Sequence, residues 1–156
     1  MQSVNYADAV YPVRADFEHS HTRFWQRLSS AGAWFDSSQR IAIARTVREA
    51  SECSLCQQRK ESLSPRAVAG EHSHSFGLDP VIVEVVHSIV TDASRLTRSW
   101  YDEVLQSGLQ DAQYIEIVGT VVSMVSIDSF AMALGCLLYT SPSPRDATLS
   151  RMPSSA

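Results

Sequence analysis

The feature that most constrains the fold is a long apolar segment, residues 111–134, which begins with a helix-start residue and is followed by a helix-stop residue. Asp111 can cap the first turn of a helix, and Gly135 stands just past the last apolar residue, where helices commonly end. The most apolar run in the segment, residues 117–127, lies between two carboxylates and is too short to cross a bilayer. The segment therefore predicts a long, buried helix in a protein with no membrane partner.

Five further segments carry signals for helices. Asp36 and Gln39 have the spacing of a capping box, and Asp79-Pro80 combines an N-cap residue with a proline suited to the first helical position. Strand-like alternation and hairpin turns are absent from the sequence. The chain is therefore predicted to be all-α, a single domain of about six helices. Besides the long segment, the predicted helices span residues 15–30, 36–52, 53–63, 79–90 and 97–107.

Composition divides the chain into an arm, a domain and a tail. The length of 156 residues fits one domain with a core of its own. Residues 1–13 are predicted to be an irregular arm, and residues 14–135 the helical domain. Residues 136–156 hold three of the six prolines and are rich in serine. This tail is predicted to be disordered and not native, so Cys136 is given no role.

Charge and cysteine content restrict the partners and the compartment. The net charge is −4 and no cluster of Lys or Arg forms a basic stripe, which argues against nucleic acid as a partner. The first residues lack the basic start and apolar core of a signal peptide. Three cysteines, two of them closely spaced, do not form the disulfide framework of a secreted protein. We therefore expect a cytoplasmic protein whose cysteine pair carries redox or metal chemistry.

The cysteine pair of Cys53-Ser-Leu-Cys56 is the motif with the clearest chemistry. Because the pair lies at the predicted start of a helix, unpaired N–H groups and the positive end of the helix dipole favour the thiolate. A thiolate is a nucleophile, and a neighbouring thiol can resolve its oxidised product as a disulfide. Lys60, four residues after Cys56, would lower a thiol pKa further, with Arg59 and Arg45 as additional candidates. These positions leave open which thiol attacks, since Cys53 is closer to the helix N–H groups and Cys56 is closer to Lys60.

Two stretches of the chain resemble a known family of helical proteins. They are Arg40-Ile-Ala-Ile-Ala-Arg45 followed by the cysteine motif, and residues 108–122 followed by Phe130-Ala-Met-Ala-Leu-Gly135. In these residues the chain is similar to the alkylhydroperoxidase D and carboxymuconolactone decarboxylase-like proteins, over residues 34–135. The resemblance implies an all-helical fold that assembles into trimers or larger oligomers.

The resemblance also implies a peroxidase mechanism. In it the second cysteine attacks the hydroperoxide and the first resolves it as a disulfide, so Cys56 would be peroxidatic and Cys53 resolving. We therefore expect a thiol-based peroxidase or thiol–disulfide oxidoreductase, with Cys56, Cys53 and Lys60 as catalytic residues and no cofactor. Its partners would be a small hydroperoxide or disulfide substrate, a protein reductant and further copies of the chain.

The chain departs from the family's pattern at three positions. Lys60 stands where active members usually have a histidine, and Leu55 stands where some have another between the cysteines. Ile41 occupies the position of the relay glutamate in the best-characterised type. The family's proton relay is therefore absent from its usual positions, and Lys60 at an ordinary pKa would supply positive charge rather than shuttle a proton.

A metal site is the alternative interpretation of the same cysteines. A site of two thiolates and two imidazoles has the ligand chemistry of tetrahedral zinc. The H-x-H spacing of its histidines departs from zinc-finger patterns, and solvated loop histidines would explain it equally well. The protein would then be a non-catalytic zinc- or ligand-binding module. The candidate ligands are Cys53, Cys56, His72 and His74.

Two further histidines are interpreted as structural. His87 lies on a very apolar predicted helix, where a satisfied core histidine is the expected state. His21 lies on a first helix that the sequence suggests is exposed, so no special role is expected for it.

Overall fold

The regular secondary structure of the described residues is helical. The computed structural model describes residues 4–7, 9–73 and 75–136. Within these ranges there are six α-helices and no strand, which confirms the all-α prediction. The helices are α1 (Ala15–Leu28), α2 (Ser37–Ala50), α3 (Ser54–Glu61), α4 (Pro80–Asp92), α5 (Arg98–Gln106) and α6 (Asp111–Ala133), with short 3-10 helices at Pro65–Ala67 and Ala93–Arg95.

The starts of α2 and α4 are built as the sequence indicates, whereas Asp111, predicted as a cap, lies within the first turn of α6. The Asp36 carboxylate accepts a hydrogen bond from the backbone N–H of Gln39, and the Gln39 side chain accepts one from the backbone N–H of Asp36. At α4 the Asp79 carboxylate accepts from the N–H of Val81, and Pro80 occupies the first helical position. Each of these caps satisfies N–H groups that the first turn leaves unpaired and contributes about 1 kcal/mol. They fix where α2 and α4 begin.

The end of α6 also follows its predicted signal. Gly135 has a φ of +70°, and the N–H of Cys136 donates to the carbonyl of Ala131 at 3.0 Å. A left-handed residue with this bond back across the last turn is a common helix terminator. Cys136 itself is buried. Residues 137–156 lie outside the described residues, so the disordered, non-native tail stays a prediction.

The chain divides into two compact units, and the second unit, residues 28–125, is organised around α2 and α4. Aliphatic side chains on facing sides of the two helices are almost completely buried, including Ile43 and Val47 of α2 and Val83 and Val86 of α4. Burial of each such side chain stabilises the fold by about 1.5 to 3 kcal/mol. The short α3 packs against α4, which places the cysteine motif beside this core.

The first unit, the described parts of residues 1–27 and 126–156, contains an aromatic cluster. The ring of Phe130 stacks on Phe17 at 4.9 Å between centroids and meets the rings of Tyr6 and His21 edge-on at 5.4 and 5.3 Å. The Tyr6 hydroxyl lies 2.6 Å from Nδ1 of His21. The arm before α1 is irregular as predicted, yet Tyr6 is buried. His21 is partly buried rather than exposed, because the arm folds back over it.

One helix among the described residues, α6, is long and apolar enough to cross a membrane by length and composition alone. The core helix of a soluble protein passes the same test, so this is weak evidence. Large apolar side chains on α6 are exposed, among them Ile115, Val122 and Met132. The absence of a membrane partner and assembly into a homo-oligomer both stay predictions.

Candidate functional site

The two thiols of the cysteine motif lie together at the start of α3. Cys53 is the N-cap residue, with extended backbone, and Cys56 lies in the first turn. Both are free thiols, and their exposed fractions are 0% and 4%. They form a small buried cluster with Leu55, against which Val68 packs. The predicted placement of the pair at a helix start is confirmed, although α3 ends at Glu61, two residues earlier than expected.

The loop between α3 and α4 carries a histidine to both thiols. Nδ1 of His72 lies 3.3 Å from Sγ of Cys56 and 3.6 Å from Sγ of Cys53. The absence of a side chain at Gly70 lets the loop lie close over α3, since a Cβ atom there would lie only 3.0 Å from a methyl group of Leu55. His74, the other predicted loop ligand, lies outside the described residues. The structure therefore brings His72 to the cysteines and leaves His74 a prediction.

A second histidine reaches the site from α4. His87 has no exposed surface, and its Nδ1 lies 3.3 Å from Sγ of Cys56. Its ring lies 4.4 Å from that of His72 between centroids. His87 is thus a core histidine, as expected, but its partner is a thiol of the motif. The spacing Glu84-x-x-His87, which puts both side chains on one face of α4, is the signal that the sequence analysis overlooked.

A carboxylate on α4 orients His72 from the side opposite the thiols. Oε2 of Glu84 lies 2.8 Å from Nε2 of His72 and accepts a hydrogen bond of 2.9 Å from Nη1 of Arg59. The Ser88 hydroxyl donates to the other carboxylate oxygen at 2.9 Å, and Arg66 lies 3.5 Å from it. The carboxylate, imidazole and thiol form a chain in which a proton or charge on the imidazole affects both ends.

The charges of the site are strongly coupled. Burial opposes the charged forms of Glu84, His72 and Cys53, but hydrogen bonds to these groups outweigh the effect of burial. Those with His72, Arg59 and Ser88 hold the pKa of Glu84 well below its usual range. Those with Cys56, Glu84 and Cys53 raise the pKa of His72 to about 10. The pKa of Cys53 is lowered to about 6 by bonds from the backbone N–H of Cys56 and from His72. At neutral pH these shifts favour an imidazolium beside a thiolate.

The cation that α3 contributes to the site is an arginine. Arg59 contacts both Glu84 and Nε2 of His72, the latter at 3.3 Å. Lys60, the predicted catalytic cation, has an exposed side chain, and its carbonyl accepts a hydrogen bond from Arg95. The one-residue step from Arg59 to Lys60 turns the side chain by about 100° around the helix, away from α4.

A cavity of about 210 Å³ opens beside the thiols, with Cys56 in its wall. Its lining combines apolar surface from Pro65 and Leu96 with the side chains of Arg59, His72 and Thr91. Cys53 lies deeper, fully buried. A small molecule in this cavity would therefore meet Cys56 first.

Four side chains of the site converge on one point. One potential ligand atom from each lies within 4.8 Å of the others, close enough to hold a single metal ion. We call these residues the Cys2His2 cluster: Cys53, Cys56, His72 and His87. It can support nucleophilic thiol chemistry, in which the imidazoles hold and move protons, or the binding of one metal ion.

Comparisons with protein-family models, with curated proteins and with solved structures find no match to this chain.

Proposed function

We propose that this protein is a thiol-based oxidoreductase of the peroxidase type, which reduces small hydroperoxides with its cysteine pair. The observation that carries the proposal is the position of Cys56. Cys56 lines the cavity, and its sulfur lies 3.3 Å from Nδ1 of both His72 and His87, with the second thiol of the motif in the same cluster. A nucleophile, proton carriers and a resolving thiol are the parts that such a reaction needs.

In the first step Cys56 attacks, because it lines the cavity whereas Cys53 is fully buried. His87 takes the proton of the Cys56 thiol, and the thiolate attacks the distal oxygen of the hydroperoxide. An S–O bond forms as the O–O bond breaks, and the departing alkoxide takes the proton from His87 and leaves as an alcohol. Cys56 is then a sulfenic acid.

In the second step Cys53, as a thiolate, attacks the sulfur of oxidised Cys56. An S–S bond forms and the S–O bond breaks, and the departing hydroxide takes the proton of the His72 imidazolium and leaves as water. One hydroperoxide has then oxidised two thiols to a disulfide and yielded one alcohol and one water. A dithiol protein is the proposed reductant that returns the pair to thiols.

The test is a single-turnover reaction of the reduced, metal-free protein with tert-butyl hydroperoxide. We expect the loss of two titratable thiols per chain, with the disulfide located between Cys53 and Cys56 by peptide mapping. Cys56→Ser should abolish hydroperoxide consumption. Cys53→Ser should still react and should accumulate a sulfenic acid that dimedone traps.

Cys136→Ser is the matched control, since Cys136 is a buried cysteine of the first unit. This variant should react as the unmodified protein does. If both thiols of the motif survive an excess of hydroperoxide, the proposal is wrong. A much faster reaction with a small disulfide than with the hydroperoxide would assign thiol–disulfide exchange to the same pair instead.

A further inference from the structure

We propose that the reduced protein binds one zinc ion at the Cys2His2 cluster. Binding of the ion requires no peroxide chemistry, so this goes beyond the proposed function. Two thiolates and two imidazoles form the donor set that zinc prefers in tetrahedral sites. Three segments supply the donors: the start of α3, the loop after it and the middle of α4.

The distances between donors fit one tetrahedral ion. Zinc–sulfur bonds of about 2.3 Å and zinc–nitrogen bonds of about 2.0 to 2.1 Å put sulfur and nitrogen about 3.5 Å apart in a tetrahedron. The sulfur–nitrogen separations here are 3.3 Å for Cys56 and His72, 3.3 Å for Cys56 and His87, and 3.6 Å for Cys53 and His72. These three separations match the tetrahedral value, and all four donor atoms lie within 4.8 Å of one another.

The surroundings of His72 also match a metal ligand. Its Nδ1 faces the thiols while Nε2 lies 2.8 Å from the Glu84 carboxylate. A histidine that binds metal through one nitrogen commonly donates the N–H of the other to a carboxylate, which fixes the tautomer and the ring orientation. Arg59 and Ser88 hold that carboxylate in turn. The outer groups are therefore arranged to keep Nδ1 of His72 directed at the ion.

The proposed ligand set differs from the one that the sequence predicts in a single residue. The structure brings His87 to the cysteines, whereas His74 lies outside the described residues. Sequence spacing favours a nearby loop histidine, but the packing of α3 on α4 carries His87 to Cys56 across 31 residues.

Zinc would also control the chemistry of the proposed function, and this consequence rests on that function. A zinc-bound thiolate pair is shielded from oxidation until the ion leaves or is displaced. Once the ion has left, oxidation of the two thiolates by one hydroperoxide takes up two protons and yields the disulfide, one alcohol and one water. The cysteine pair would then either hold zinc or react with peroxide.

The test uses Co²⁺ and Zn²⁺ with the reduced full chain under anaerobic conditions. We expect one Co²⁺ per chain, with the visible bands of tetrahedral cobalt and a sulfur-to-cobalt charge-transfer band, both lost when Zn²⁺ displaces cobalt. His87→Ala should weaken binding by about 100-fold, and Glu84→Gln by about 10-fold. His72→Ala, in a loop outside the α2–α4 core, keeps the test valid if the His87 variant unfolds.

His19→Ala is the control for loss of an exposed histidine, and it should bind Co²⁺ normally. The proposal is overturned if reduced protein binds no Co²⁺, or if His74→Ala abolishes binding while His72→Ala and His87→Ala do not. Failure of metal binding with intact disulfide formation would remove this proposal alone. Tight metal binding without disulfide formation after chelation would support it and remove the proposed function.

Discussion

Two histidines of this protein, His21 in the first unit and His72 in the second, are both partly buried and both hydrogen-bonded through Nδ1. His21 contacts the Tyr6 hydroxyl and the rings of Phe17 and Phe130. His72 contacts two thiols, a carboxylate and a guanidinium. The first set of neighbours is aromatic and neutral, and the second consists of groups that ionise.

The difference shows that burial alone does not make an imidazole reactive. Burial lowers the pKa of His21. Burial also acts against the charge on His72, but hydrogen bonds with Cys56, Glu84 and Cys53 outweigh it and raise the pKa to about 10. The ionisable groups of the Cys2His2 cluster therefore act on one another, whereas the neighbours of His21 in the aromatic cluster mainly bury it.

The largest effect should come from removing the centre of the aromatic cluster. Phe130→Ala deletes the ring that touches Tyr6, Phe17 and His21, and we expect a loss of about 2 to 3 kcal/mol in the free energy of unfolding. The rate of disulfide formation with hydroperoxide, measured well below the melting temperature, should change little. A variant with unchanged stability would show that the aromatic cluster is not a packing centre.

A smaller effect on rate is expected from the carboxylate behind His72. Glu84→Gln keeps a hydrogen-bond acceptor but removes the charge that favours the imidazolium. We expect disulfide formation to slow about tenfold, which corresponds to about 1.4 kcal/mol. Stopped-flow measurement with hydroperoxide checks this, and Glu103→Gln on α5 is a control for loss of a carboxylate elsewhere. Equal rates in the two variants would contradict a role of Glu84 in the chemistry.

The two neighbouring cations of α3 separate a site residue from a surface residue. Arg59→Met removes a group that contacts Glu84 and His72, and we expect about a fivefold change in the rate of thiol alkylation, equivalent to about 1 kcal/mol. Lys60→Met should have the smaller effect, because its side chain is exposed. Iodoacetamide labelling of both variants under the same conditions decides between them. A larger effect of Lys60→Met would support the catalytic role that the sequence predicts for Lys60.

The smallest effect belongs to the hydrogen bond inside the aromatic cluster. Tyr6→Phe removes the hydroxyl at 2.6 Å from His21 and keeps the ring contacts. We expect a loss of about 0.5 to 1 kcal/mol in stability, seen by thermal or denaturant unfolding. Any change in thiol reactivity would show that the contrast between the two histidine environments is incomplete.

Elements with local signals could be predicted from the sequence, whereas the full site could not. Caps such as Asp36 and Asp79 act on their own neighbours, so the starts of α2 and α4 are readable from a few residues. Apolar periodicity places His87 in the core but does not say which residue it contacts there. That contact depends on how α3 packs on α4, which no local pattern specifies. The burial of Tyr6 could not be predicted either, because an irregular arm has no periodicity to indicate burial.

The two proposed states of the cysteine pair, the disulfide and the zinc-bound thiolates, cross-link residues that are separated by different lengths of chain. A Cys53–Cys56 disulfide closes a ring of very few residues, so the lost conformational entropy of the unfolded chain would be worth only about 2 kcal/mol. A zinc ion bound by both Cys56 and His87 would link positions 31 residues apart, and the lost conformational entropy of the unfolded chain would be worth about 4 kcal/mol. Oxidation would replace this long-range cross-link with a short-range one, and the loop over residues 62–79 would open more easily. The rate at which a protease cuts that loop would then differ between the zinc-bound and the oxidised protein.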